Sequence, residues 1–136
     1  MNQTNMKIAI DLDNTITEFP RFFKIFSRAM QKEGCQVHII TNRPEGTEKE
    51  VIGELDACGI SYDAIQITAD KAAYIQDHQI EVFFDDTDEY FINMPDSVAV
   101  FKPREPGNFD FDQKKWIYGP RTGRCVGQNG RLSGRT

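Results

Sequence analysis

The stretch Lys7-Ile8-Ala9-Ile10-Asp11-Leu12-Asp13-Asn14-Thr15 decides how this chain folds. A short apolar run rich in β-branched residues stops at two carboxylates set two positions apart, and a threonine follows two positions later. The pattern predicts a buried parallel strand feeding a polar turn, and such strand ends are where open α/β sheets hold their ligands. Two carboxylates in a tight turn repel each other unless a cation sits between them. Mg²⁺, a hard ion that prefers oxygen, is the natural candidate. The competing reading is a strand followed by an acidic, solvated turn. A second acidic cluster at the end of another apolar run, Val82-Phe83-Phe84-Asp85-Asp86, weighs against that plainer reading.

Working outward, 136 residues suit one domain with a real core. We take residues 1–136 as a single domain, with a core over 6–102 and a basic extension over 103–136. No apolar run approaches the roughly 20 residues a membrane helix needs. Met1 to Met6 is polar, without the basic and apolar regions of a secretion signal. The three cysteines, Cys35, Cys58 and Cys125, are widely spaced and odd in number. They read as free thiols in a reducing cytosol, so a cytoplasmic location is expected. Charge is unevenly spread: residues 1–101 carry 8 basic and 18 acidic side chains, a net of −10, while 102–136 carry 8 and 3, a net of +5. An acidic body with a basic tail is a statement about partners rather than fold.

Beyond the first strand, Phe19, Phe22, Phe23, Phe26, Ala29 and Met30 recur at helical spacing, with Pro20 suited to a first turn and Gly34 to a stop. Gln36 to Ile40 predicts a second strand ending at Thr41-Asn42-Arg43-Pro44. A second helix is expected from about Thr47 to Cys58, opened by a Thr47/Glu50 capping box and closed by Gly59. Ala64 to Ile67 reads as a third strand. Asp70 caps a short helix carrying Lys71, Ala72, Tyr74 and Ile75, and Val82 to Phe84 is the fourth strand. Asp88 to Met94 suggests a further helical turn or two before a fifth strand at Val98 to Phe101. Strands alternating with helices through short connections imply a parallel sheet with helices on both faces. All its strands then point one way, and Asp11/Asp13, Thr41/Asn42 and Asp85/Asp86 gather on a single edge.

This ordered set resembles the haloacid dehalogenase superfamily in its phosphohydrolase branch. The first motif, an apolar strand followed by D-x-D-x-T, matches Asp11 to Thr15. The second, a strand ending in Thr or Ser, matches Ile39-Ile40-Thr41. Lys71 matches the helix-start lysine of the third, and Phe83-Phe84-Asp85-Asp86 the acidic pair of the fourth. The likeness covers residues 7–86 and leaves 102–136 outside it. It implies a three-layer α/β/α Rossmann-like fold with a five-stranded parallel sheet of order 3-2-1-4-5. Dehalogenation is disfavoured, because that branch lacks the second aspartate of the first motif.

The resemblance further implies a Mg²⁺-dependent phosphomonoester hydrolase. Asp11 would be the nucleophile, forming an aspartyl-phosphate. Asp13 would protonate the leaving oxygen and then deprotonate the attacking water. Thr41 and nearby backbone N–H groups would hold the phosphate, with Asn42 as a further candidate, while Lys71 offsets the charge of phosphate and nucleophile. The metal would rest on Asp11, the backbone carbonyl of Asp13 and the acidic pair, with Asp86 as direct ligand and Asp85 behind it.

Other residues carry more than one reading. Thr15 either bonds turn backbone or acts directly, and Asn42-Arg43-Pro44 is either a phosphate contact or a plain turn. His38 reads as a packed histidine and His78 as a surface one. The phenylalanines from 19 to 26 read as core, with part of them near the site mouth. Asp88 and Glu89 either orient the acidic pair or cap a helix. The intervals Ile16–Ile40 and Asn42–Asp70 leave no room for a cap domain, so the chain is similar to capless members, with a site open to solvent. An open site suits a phosphate at the end of a large substrate: a nucleic-acid terminus, a phosphoprotein or a glycan intermediate. Arg121, Arg124, Arg131 and Arg135 either steer a polyanion such as nucleic acid or form a disordered, solubilising terminus. Two alternatives stay open: a phosphatase for small nucleotides or sugar phosphates, and a non-catalytic phosphate-binding module.

Overall fold

A computed structural model describes residues 6–116. The chain divides into two units, Met1–Lys102 and Pro103–Thr136. In the first, five strands form one parallel sheet: β1 (Lys7–Ile10), β2 (Gln36–Thr41), β3 (Ala64–Ile67), β4 (Val82–Phe84) and β5 (Ala99–Phe101). Their order is β3-β2-β1-β4-β5, as expected for a three-layer, Rossmann-like α/β fold. Three helices connect them: α1 (Pro20–Lys32), α2 (Glu48–Cys58) and α3 (Lys71–Asp77). No cap is inserted: α1 alone lies between the first-motif turn and β2, and α2 and β3 alone lie between Thr41 and Lys71.

Side chains alternate across the sheet and build two cores. Ile8, Ile10, Val37 and Ile39 face Phe23 of α1 and Val51 and Leu55 of α2. Ala9, Ile40 and Phe83 face the opposite way and pack with Ile75 of α3 and Ile80. Central parallel strands are covered on both faces, which explains why β1 and β2 read as nearly unbroken apolar runs. His38 is buried on β2 as a packed histidine, its Nδ1 2.8 Å from the Tyr74 hydroxyl and its Nε2 3.1 Å from Gln36 Oε1. His78 is exposed and stacks on Tyr74.

Helix ends follow the predicted punctuation with one exception. Pro20 opens α1, and Gly34, at φ 93°, turns the chain into β2. Gly59 closes α2 at φ 72°, and Asp70 caps α3 by accepting from the Ala73 N–H. The capping box at Thr47 does not form. Its hydroxyl donates to the Pro44 carbonyl at 2.7 Å, closing the turn before α2, and accepts no helix N–H. The stretch after Asp86 forms a single 3₁₀ turn over Asp88–Phe91, within the turn or two expected there.

In the second unit, β6 (Phe109–Asp110) and β7 (Lys115–Trp116) form an antiparallel hairpin. Asp110 Oδ1 accepts from the Asp112 and Gln113 N–H groups, and the Phe109 ring meets Phe111 and Trp116 edge-on. The tail arginines 121, 124, 131 and 135 and Cys125 lie outside the described residues. Cys35 and Cys58 are free thiols, and among the described residues no helix is long and apolar enough to cross a membrane.

Candidate functional site

Parallel strands bring their C-terminal ends to one edge, and the motif residues meet there. Asp11 follows β1, its N–H bonded to the Phe84 carbonyl of β4 at 2.9 Å, so the two acidic motifs are joined through backbone. The next residues turn sharply, with Asn14 in the left-handed region at φ 64°. This places Thr15 where its hydroxyl donates to Asp11 Oδ2 at 3.0 Å. Thr15 is fully buried, and its role is to hold the Asp11 carboxylate.

Lys71 opens α3 and reaches back under the sheet edge with 1 % of its surface exposed. Its ammonium donates to Asp11 Oδ1 and to Asp85 Oδ2, each at 2.8 Å. The second oxygen of Asp85 accepts from the Thr87 N–H at 2.9 Å. Carboxylate oxygens of Asp11, Asp85 and Asp86 all lie within 4.8 Å of one another, and all three residues are buried. Three buried carboxylates against one ammonium leave an excess of negative charge, and the donor set is all oxygen. Such a cluster could bind a metal ion, and its chemistry suits a hard divalent cation.

The electrostatics express the same excess. Burial pushes the Asp11 carboxyl above its ordinary value, against the opposing pull of Lys71 and Thr15. Burial, then the nearby Asp11 charge, pushes Asp85 up to about 6. Burial alone would lower Lys71, but the Asp11 and Asp85 charges outweigh it and hold the ammonium above its usual range. A bound cation would reverse the trend for the carboxylates.

Thr41 ends β2 on the same edge. It is fully buried, and its hydroxyl has no hydrogen-bond partner. An orphaned buried hydroxyl costs about 1–3 kcal/mol unless a water or a ligand completes it. Asn42 donates to the Tyr90 hydroxyl at 2.7 Å, and the Tyr90 ring covers the Lys71 ammonium at 4.1 Å from its centroid.

Asp13 is the exception among the motif residues. Its carboxylate is not in the three-carboxylate cluster; Arg43 holds it, through Nη2 at 2.7 Å and Nε at 3.0 Å. Arg43 is held in turn by Glu54 of α2, with both contacts at 2.8 Å. Bonds to Glu54 and Asp13 raise the affinity of Arg43 for its proton, and Arg43 lowers the Glu54 carboxyl.

Asp11, Lys71, Asp85 and Asp86 therefore meet, Thr41 ends its strand on their edge, and Asp13 belongs to a neighbouring charged network. Sequence reasoning did not anticipate Tyr90, Glu54 or the Arg43–Asp13 pairing. No local pattern marks them, since each acts on a partner 11 to 48 positions away. Fold and site together define a Rossmann-like α/β protein with a buried carboxylate–lysine cluster at the ligand edge of its sheet. No family model, curated protein or solved structure matches the chain.

Proposed function

We propose that this protein is a Mg²⁺-dependent phosphomonoester hydrolase of the haloacid dehalogenase type, acting through an aspartyl-phosphate. The observation that carries this reading is the Lys71 ammonium bridging Asp11 and Asp85 beside the three-carboxylate cluster. A phosphate ester is an anion, and a carboxylate attacks it only where charge is neutralised. When bound, Mg²⁺ would draw charge from the phosphoryl oxygens. Asp11 and Asp86 would hold it, together with the Asp13 backbone carbonyl. Asp85 takes the supporting place that the family resemblance gives it, its oxygens accepting from Lys71 and Thr87.

The protein's own residues supply the remainder. Lys71 and Thr15 each fix one oxygen of Asp11, holding the nucleophile in a single orientation. Asp11 attacks phosphorus, and the ester P–O bond breaks with its electron pair leaving on the departing oxygen. Asp13 protonates that oxygen. Water then attacks phosphorus, Asp13 takes its proton, and inorganic phosphate leaves with Asp11 restored. Thr41, and Asn42 beside it, bind phosphoryl oxygens, with the orphaned Thr41 hydroxyl as the waiting donor.

The uncapped edge favours a large substrate carrying a terminal phosphate, with nucleic acid a candidate through the basic tail. Free thiols at Cys35 and Cys58 favour a reducing compartment such as the cytoplasm. The test is a panel of 3′-phosphorylated oligonucleotide, mononucleotides, sugar phosphates and an aryl phosphate, assayed with Mg²⁺ and with chelator. Chelator-sensitive turnover is expected, highest on the oligonucleotide. Preference for small molecules would remove the macromolecular substrate, and no turnover of any ester would leave a phosphate-binding module.

A further inference from the structure

We propose that Arg43, braced by Glu54, is the positioning residue for Asp13, an inference that rests on the phosphatase reading above. In an in-line displacement the leaving oxygen lies on the far side of phosphorus from the nucleophile. A group that serves the leaving oxygen must therefore stand apart from Asp11, as the Asp13 carboxylate does, outside the cluster of Asp11, Asp85 and Asp86.

Standing apart exposes it. The Asp13 side chain is 43 % exposed and sits on a turn beside the left-handed Asn14, where an untethered carboxylate would sample several rotamers. Arg43 removes that freedom. Its guanidinium meets both Asp13 oxygens along one edge and both Glu54 oxygens along another, and it is itself only 18 % exposed. Single exposed ion pairs stabilise little, but a planar fork gripped by two carboxylates has one geometry. Arg43 comes from just beyond β2 and Glu54 from α2, so the clamp references Asp13 to the rigid body of the fold. A lysine, a point charge on a flexible stem, would not reproduce it.

The test is the dependence of kcat/KM on leaving-group acidity over aryl phosphates from p-nitrophenyl to p-methoxyphenyl, with Mg²⁺. Protonation matters most for poor leaving groups, so a misplaced Asp13 costs most there. Arg43→Ala is expected to lose about a hundredfold on p-methoxyphenyl phosphate and under tenfold on p-nitrophenyl phosphate, the loss residing in kcat. Arg43→Lys should be intermediate. Glu54→Gln, which loosens the brace without touching Asp13, should steepen the series in the same direction and carries the test if Arg43→Ala fails to fold. Equal losses across the series, or a loss confined to KM, would overturn the positioning role while leaving the phosphatase reading intact. Absence of turnover by the unmodified protein would overturn both.

Discussion

Lys71 and Asp11 are 60 positions apart in the chain, and the ammonium of one rests 2.8 Å from the carboxylate of the other with both side chains buried. A pair so placed is costly to assemble and more costly to break, because the surviving charges stay out of water. Lys71→Met leaves three buried carboxylates without their ammonium. We expect a loss of about 3–5 kcal/mol in urea unfolding measured in chelator. Millimolar Mg²⁺ should restore part of it, and turnover should fall by at least about a hundredfold. Unchanged stability in chelator would contradict the pairing.

Asp11→Asn acts in the opposite sense on the fold. It removes one of the buried negative charges while preserving shape and leaves Lys71 paired with Asp85, so the melting temperature in chelator should hold or rise. Mg²⁺-dependent hydrolysis should disappear, and the stabilisation given by Mg²⁺ should shrink with it. Hydrolysis that survives this change would mean another residue attacks phosphorus.

The pH dependence of stability reports the same cluster. With Asp85 up at about 6 against an ordinary 3.8, the folded state keeps a proton that the unfolded chain releases. Stability from this group is therefore complete below about pH 4 and declines as pH rises through 6, by up to about 3 kcal/mol at about 1.4 kcal/mol per unit. Asp11, also raised, adds in the same direction, whereas burial lowers His38 and opposes them near pH 6. Melting in chelator from pH 4 to 7 should show the decline, and Asp85→Asn should lessen it. Mg²⁺ should flatten the curve by favouring the ionised carboxylates.

Thr41→Val separates stability from binding. Replacing an unpartnered buried hydroxyl by a methyl of similar size removes a desolvation penalty, so stability should rise by up to about 1 kcal/mol. Inhibition by inorganic phosphate should weaken at the same time, by about tenfold for one lost hydrogen bond to a charged group. A loss of stability with unaltered phosphate inhibition would show that the hydroxyl has a structural partner.

Much of this architecture is legible along the chain because its causes are local. Apolar runs at β1, β2 and β4, helical spacing in α1, and stops at Gly34 and Gly59 each depend on neighbours within a few positions. Even at Thr47, where the expected capping box is absent, the hydroxyl bonds locally, to the Pro44 carbonyl three residues away.

The amino-acid sequence alone determined the alternation of strands and helices, and with it the edge on which Asp11, Thr41 and Asp85/Asp86 had to gather. Parallel strands leave no other choice. Only the tertiary structure decided that Asp13 turns to Arg43 rather than to the cluster, that Glu54 braces the pair, that Tyr90 covers Lys71, and that the Thr41 hydroxyl waits without a partner. Those outcomes depend on side-chain distances of a few ångströms between segments remote in the chain, and hydrophobic periodicity carries no information at that range.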